Sequence, residues 1–422
     1  MCKLKKIQDV NLKGKTVLMR VDHNVVKKGK IIDPYRIDAS LPTINYIIEQ
    51  GAKLILMSHV GRPKNKATGE IEISEKSSVI PIVEYLKGKG IRINALDITA
   101  QGKYGIEHLD SELVKNAFKD DKLQAIYLPN TRWFKGEEAK DESKEILGRE
   151  LAEIADIFVN DAFGSWQPHA STIMPANYIP AYAGVLMQKE VHHLDSVLNP
   201  QKPFVAVVAG SKFDTKIQPL SALLKRADYL MLGGVIYNAF LSVKYGVQIA
   251  GVSEEDKLAA RDFVELTSQY PGKIIEPRYI IESDSLEGRF EGKYRTVDIK
   301  NLKEGDKLNY ILDIDKSSFQ QDDIKDIFAK AGTFFVNAVM GFTPHFTEGT
   351  IALDSLIAKN HKAKKLFGGG DTLQEFNTLL PEIYQQALND ELYYFFTGGG
   401  TILKAISEGS AWGLEPVRVL KA

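Results

Sequence analysis

Near the end of this 422-residue chain, two short apolar runs each break at three consecutive glycines and resume as a helical pattern. That repeat limits the folds open to the chain. Lys364-Lys365-Leu366-Phe367 is strand-like and precedes Gly368-Gly369-Gly370-Asp371-Thr372, after which Leu373, Phe376, Leu379 and Leu380 recur at helical spacing. Asp371 or Thr372 is the expected N-cap. Leu392 to Thr397 reads as a second strand, Gly398-Gly399-Gly400 as a second turn, and a helix is expected from Thr401, with Ile402, Leu403 and Ile406 inward. A helix start offers unpaired backbone N–H groups and a partial positive charge, and bare glycines let a phosphate approach closely. Asp371 adds a carboxylate suited to a magnesium ion travelling with that phosphate. Glycines that merely allow a strand and a helix to pack tightly would explain one such turn, whereas two in succession favour an anion site.

The length suggests about two or three domains at ~150 residues each. Formal net charge is −1, so no global basic field draws in nucleic acid or membrane, and anions must be held by local placement. The single cysteine, Cys2, excludes an internal disulfide and a cysteine-built metal site. Met1 to Lys6 is not followed by an apolar signal core, and no apolar run approaches ~18 residues. A cytoplasmic globular protein, monomeric and without membrane or nucleic-acid partners, is the expectation.

Along the first half, Thr16 to Val21 is a buried-type strand ending in Asp22-His23-Asn24. Asp38 to Gln50 is expected to be a helix; Lys53 to Met57 is a strand running into Ser58-His59-Val60-Gly61-Arg62-Pro63. Val79 to Lys87 is a helix, Ile91 to Ile93 a short strand, and Gln101 to Asp121 a region holding a charged helix. Leu123 to Leu128 is a strand before Asn130-Thr131-Arg132; Ser143 to Ile154 is a helix with Ser143 as cap; Ile157 to Val159 leads to Asn160-Asp161. Alternating strands and helices imply a parallel sheet covered on both faces, with ligands beyond the strands' carboxyl ends. Those ends carry Asp22, Asn24, His59, Arg62, Asn130, Arg132 and Asp161, with Arg36 nearby. Any one arginine could be a surface ion pair, but three with a histidine suit a small molecule bearing carboxylate and phosphate.

Glu190 to Val197 is a helix leading to a domain boundary at Asn199-Pro200. Phe204 to Val208 is a strand, and Gly210, Lys212 and Lys216 follow; the two lysines are expected on one face of an opening helix. Tyr229 to Leu232 ends in Gly233-Gly234, Ser253 to Leu266 is a helix, and Lys273 to Ile314 reads as an antiparallel arm. Thr333 to Val336 is a strand before Asn337 and Gly341. The fold class expected is therefore α/β, with two Rossmann-like, doubly wound parallel-sheet lobes joined by a helix. One lobe would hold a small acid and the other a nucleotide, and reaction in an interlobe cleft needs domain closure that excludes water. A nicotinamide dehydrogenase would need G-x-G-x-x-G after the first strand, and a P-loop enzyme G-x-x-x-x-G-K-[ST]; neither is present.

Over nearly its whole length the chain resembles phosphoglycerate kinase. The likeness rests on Arg20-Val21-Asp22-His23-Asn24, Arg36-Ile37, Leu56 to Pro63, Asn130-Thr131-Arg132, Val159 to Gly164, His169-Ala170-Ser171-Thr172, Lys212 with Lys216, Gly368 to Thr372, and Thr397 to Gly400. The resemblance implies a glycolytic kinase moving a phosphoryl group reversibly between 1,3-bisphosphoglycerate and MgADP to give 3-phosphoglycerate and MgATP. It implies that Asp22, Asn24, Arg36, His59, Arg62 and Arg132 hold the glycerate. Gly210, Lys212, Lys216, Gly233, Gly234, Asn337, Gly341, Gly369, Gly370, Asp371 and Thr372 would serve the nucleotide, with Asp371 on Mg2+. Arg36, Lys212 and the amides of Gly370 and Gly399 would stabilise the migrating group without a general base. Residues 1–188 would form the glycerate lobe, 189–200 the connecting helix, 201–407 the nucleotide lobe, and the tail 408–422 would return to the first lobe.

Departures accompany the likeness. Ser165-Trp166-Gln167-Pro168 lacks the family's arginine before His169 and is one residue shorter. Ala338-Val339 replaces Gly-Pro, Phe342 to His345 lacks the acid associated with the ribose, Asp315-Lys316 replaces another Gly-Pro, Phe213 to Thr215 alters a turn, Val235 replaces a glycine and Pro129 a glutamate. Weak or altered base and ribose recognition is the expectation. The alternative function is a diverged paralogue with altered nucleotide preference or a non-catalytic, regulatory role.

Overall fold

The structure is a computed structural model that describes residues 3–98, 102–120 and 122–422. The chain folds into two compact units, residues 1–192 with 411–422 and residues 193–410. Each unit is built on a six-stranded parallel sheet.

In the first unit the strand order is Ile93–Ala95, Ala125–Tyr127, Lys53–Met57, Thr16–Arg20, Ile157–Asn160, Ala181–Ala183. The middle strands are apolar without alternation because both faces are covered. Val17, Leu18, Met19, Leu54, Ile55 and Leu56 are wholly buried, and Val17, Met19, Leu54 and Leu56 share one cluster with Ile37, Ile44 and Ile47 of the helix Tyr35–Glu49. The order reverses direction at Thr16–Arg20, the place in a doubly wound sheet where strand ends splay and a crevice opens. The tail belongs to this unit: Lys5 N–H donates to Leu420 C=O at 2.9 Å, and Ala422 N–H to Lys3 C=O at 3.0 Å.

In the second unit the order is Ile274–Ile275, Tyr229–Gly233, Phe204–Gly210, Thr333–Asn337, Lys364–Gly368, Tyr393–Phe396. Its reversal lies between Phe204–Gly210 and Thr333–Asn337. The expected arm is a three-stranded antiparallel sheet of Tyr279–Ser283, Tyr294–Asp298 and Tyr310–Ile314.

Several boundaries differ from the sequence reading. The first helix starts at Tyr35, three residues early, so Arg36 sits in its first turn. The charged helix expected within Gln101 to Asp121 is Ser111–Ala117, capped by Asp110; Gln101 and Asp121, like Cys2, lie outside the described residues. The cap before Glu142–Glu153 is Asp141, which accepts from Ser143 N–H at 2.9 Å, so Ser143 is not the cap but the residue being capped. The connecting helix is longer than expected, Val185–Leu198. Among the described residues no helix is long and apolar enough to cross a membrane.

Candidate functional site

In the first unit the site grows from the end of the strand Thr16–Arg20. Arg20 is an arginine at the foot of an apolar strand, and it is completely buried. Its Nε donates to Ser171 Oγ at 2.8 Å, and Ser171 donates to Glu137 Oε1 at 2.6 Å while its N–H donates to Glu137 Oε2 at 2.9 Å. Glu137 and Asp22 offset the desolvation that pulls the Arg20 pKa down. A buried guanidinium must be held this way, because an unpaired one is costly. The Arg20 Nη2 lies 3.0 Å from His59 Nδ1. Burial, then Arg20, Arg132, His169 and Arg36, hold the His59 pKa well below the usual histidine range. His59 is therefore neutral at pH 7, and as a neutral ring beside Arg20 it accepts at Nδ1 and keeps its N–H at Nε2.

Around this centre Arg36 pairs with Asp22 at 3.2 Å, and Arg132 with Glu138 at 2.9 Å. Arg132 also donates to Gly61 C=O, and Asn24 Oδ1 accepts from Gly61 N–H at 2.8 Å, which fixes the loop carrying Arg62. Arg62 is exposed and makes no ion pair among the described residues. Asp22 Oδ1 is buried and has no hydrogen-bond partner among them. Of the strand-end candidates, the fold thus gathers Asp22, Asn24, Arg36, His59 and Arg132 through shared contacts, with Arg62 on the adjoining loop.

Two strand-end residues are structural instead. Asn130 is buried and ties Val60 to Ser77 through both ends of its amide. Asp161 is buried and accepts from Met187 N–H at 2.9 Å; burial pushes its carboxyl up to about 6. Arg20 and Glu137 are what sequence reasoning missed; for Arg20 the available signal was a charge standing in an otherwise apolar strand, and Glu137, outside any strand, gave none.

The second unit holds a cavity of about 600 Å³ at the reversal of its sheet. Gly210, Lys212, Lys216, Gly234, Asn337, Gly341 and the run Gly369-Gly370-Asp371-Thr372 line it. Lys212 and Lys216 do not share a helical face, contrary to expectation. Asp214–Lys216 is a single 3₁₀ turn and the helix Ile217–Arg226 begins after both. Lys216 is instead drawn inward, its Nζ donating to Ala209 C=O and, at 2.9 Å, to Asn337 Oδ1. Burial lowers its pKa to about 8, with Asp371 pulling the other way. Lys212 is exposed.

Neither Asp371 nor Thr372 caps the helix after the first glycine turn. The helix runs Gly370–Leu379 and its cap position is Gly369, at φ +118°. No side chain caps it, so the amide end stays uncovered. A Cβ on Gly369 would stand 2.7 Å from Asn337 Nδ2, whereas one on Gly370 would meet nothing within 4 Å. Asn337 Nδ2 donates to Gly368 C=O, so one amide side chain links Lys216 to the glycine turn. Gly399 begins the helix Gly399–Glu408 and packs on Gly369, where a Cβ would come within 2.6 Å of Gly369 Cα. Gly233 packs on Met340 in the same way. Neither Gly233 nor Gly399 is part of the cavity lining, which runs from Ala209 to Thr372 through other residues. Asp315 makes a local turn, accepting from Ser317 N–H at 2.8 Å and Thr296 Oγ1 at 2.9 Å, so that departure stands outside the cavity.

The arrangement offers guanidinium groups around a neutral histidine on one unit and uncovered peptide amides with lysines on the other. Comparison with known proteins agrees with that chemistry. The family model for phosphoglycerate kinase matches residues 7–409. The chain is 34% identical over 420 residues to a phosphoglycerate kinase of Pseudothermotoga lettingae, covering 97% of this chain and 98% of the relative. It is 36% identical over 422 residues to that of Thermosipho africanus, covering 97% of each. The solved phosphoglycerate kinase of Coxiella burnetii superposes with a TM-score of 0.76 at 30% identity, over 99% of this chain and 98% of the other. That of Pyrococcus horikoshii, at 24% identity over 99% and 98%, gives 0.75 and shares the fold. With a matching model over nearly its full length and relatives this similar, the chain belongs to the phosphoglycerate kinase family.

Proposed function

We propose that the protein is a phosphotransferase acting on a carboxyl group, moving a phosphoryl group reversibly between the acyl phosphate of 1,3-bisphosphoglycerate and MgADP. Arg62 and Arg132 are suited to the phosphate at the far end of the glycerate. Arg36 is suited to the carboxyl end, where charge migrates. Asp22 Oδ1, buried and unpaired among the described residues, is an acceptor for a substrate hydroxyl. The ion pairs Arg36–Asp22 and Arg132–Glu138 hold both guanidiniums in place before substrate binds, and a substrate anion would exchange with the acids.

In the second unit the N–H groups at the start of Gly370–Leu379 and the two lysines are suited to the phosphates of an adenine nucleotide. Asp371 is a carboxylate without a side-chain cap role on the cavity wall, a donor of the kind Mg2+ takes alongside phosphate oxygens. Asp371 would hold the ion, which supplies charge neutralisation at the phosphates. The transferring group needs positioning and electrostatic stabilisation, which Arg36, Lys212 and the amides of Gly370 and Gly399 are placed in sequence to give, and no base has to remove a proton. The glycerate and the nucleotide react only when they meet in line with water excluded.

The observation that carries the reading is the uncovered helix start at Gly370 beside the Lys216–Asn337 link. The presence of Arg36, Lys212 and Asp371 favours catalysis over a non-catalytic alternative. A coupled assay with 3-phosphoglycerate and MgATP tests it: turnover that depends on both is expected. Binding of both ligands with no turnover would leave the regulatory alternative standing and remove this one.

A further inference from the structure

We propose that Asn238 reads the base of the nucleotide, accepting an N–H from an exocyclic amino group and so favouring an aminopurine. The inference rests on the nucleotide site proposed above. Asn238 lies in the helix Gly234–Tyr245, one turn inward from Gly234, and both line the cavity. Gly234 is at the phosphate end, where it bridges to Gly210. One turn advances about 6 Å along the helix, and the same cavity is lined by the apolar Val235, Ala250, Leu286 and Leu312.

The side chain of Asn238 is buried, and its Nδ2 donates to Ile311 C=O at 3.0 Å. That bond sets the amide's orientation, since the flipped form would oppose two oxygens. Oδ1 is then turned away from Ile311 and takes no hydrogen bond among the described residues. Asp313, the acidic side chain nearest in sequence on the same wall, already accepts from Ile314 N–H at 2.8 Å and Gly349 N–H at 3.2 Å. Asn238 Oδ1 is therefore an oriented, open acceptor against a mostly apolar wall. A ligand N–H satisfies it, while a 6-oxo group places a second acceptor there and leaves both unpaired.

The test compares ATP with purine riboside 5′-triphosphate, which lacks only the amino group, and with ITP, which carries a 6-oxo group. In the wild-type protein KM for ATP is expected to be about three- to tenfold below that of purine riboside triphosphate, the worth of one net hydrogen bond, with ITP weaker again. In Asn238→Ala the preference for ATP over purine riboside triphosphate collapses towards one. Equal losses for both nucleotides would mean that Asn238 only supports Ile311, and equal wild-type KM values would likewise overturn the proposal. Should Asn238→Ala not fold, Asn238→Thr and the wild-type pair decide the question. Absence of turnover with every nucleotide would defeat the proposed function alone, because calorimetric affinities for the same nucleotides still test Asn238. Absence of any nucleotide binding overturns both.

Discussion

The two units present positive charge in opposite ways. The first offers long cationic side chains, and three of them are tied to a carboxylate: Arg36 to Asp22, Arg132 to Glu138, and Arg20 through Ser171 to Glu137. The second leaves the positive end of a helix bare at Gly370 and uses glycines so that nothing stands in front of it. Side-chain cations reach far and select shape, but they need partner acids to stay apart. Peptide amides are held by the fold itself and carry no rotamer entropy, but they tolerate no Cβ in the wrong place.

The largest break in this comparison comes from the charges proposed to act on the transferring group. Arg36→Ala is expected to lower kcat by about 10³, and Lys212→Ala by about 10², with KM changing less; a coupled assay reads both. Loss confined to KM in either variant would move that residue from the reacting group to the ground state.

A glycine pair sharpens the backbone side. Gly369→Ala places a Cβ at φ +118° and 2.7 Å from Asn337 Nδ2, so it is expected to cost about 1–3 kcal/mol and to raise the nucleotide KM at least tenfold, without changing that of 3-phosphoglycerate. Gly370→Ala meets nothing within 4 Å and starts a helix, so the melting temperature should hold while the nucleotide KM rises. Thermal melts with steady-state kinetics separate conformation from access.

The units also differ in how pH acts on them. Burial lowers His23 to about 3, with its ring held between Tyr127 and Ser40, and holds His59 low as well. A histidine whose folded pKa is depressed binds fewer protons than the unfolded chain below ~6.5. That part of the stability is complete above ~6.5 and falls by up to about 1.4 kcal/mol per pH unit for each such ring as pH drops towards its folded value. In the second unit burial raises Asp313 to about 7 and Asp354 to about 8. These carboxyls keep protons that the unfolded chain has released, so their contribution is complete below ~4 and is lost as pH rises towards the folded values. Asp161 in the first unit acts in the same direction as these, over a narrower range ending near 6. Urea titrations from pH 5 to 9 should show Asp354→Asn gaining stability relative to wild type as pH rises, and His23→Gln losing less than wild type as pH falls. Parallel pH profiles for variants and wild type would contradict the assignment.

The smallest effect concerns the ribose. Phe342-Thr343-Pro344-His345 offers no carboxylate there, so 2′-deoxy-ATP and ATP are expected to differ in KM by no more than about twofold. A tenfold preference for ATP would mean that another residue reads the ribose hydroxyl.

The alternation of apolar strands with amphipathic helices, the glycine turns and the strand-end arginines were all legible in the chain, because each is local: a period, a missing Cβ, a charge beside a turn. They determined two parallel sheets and the residues that could meet a phosphate. Only the tertiary structure decided which of those residues are taken up by neighbours and which stay open. Asn130 and Asp161 sit at strand ends like Asp22, yet both are wholly buried: Asn130 spends its amide on Val60 and Ser77, and Asp161 accepts from Met187 N–H. Lys216 was expected beside Lys212 but turns inward, because Asn337 lies across the sheet, 121 residues away, and accepts from it. Arg20 looked like one more residue of a strand, and it anchors the site because Glu137 and Ser171 close over it. Desolvation and hydrogen-bond pairing depend on what stands opposite, and a sequence states only what stands alongside.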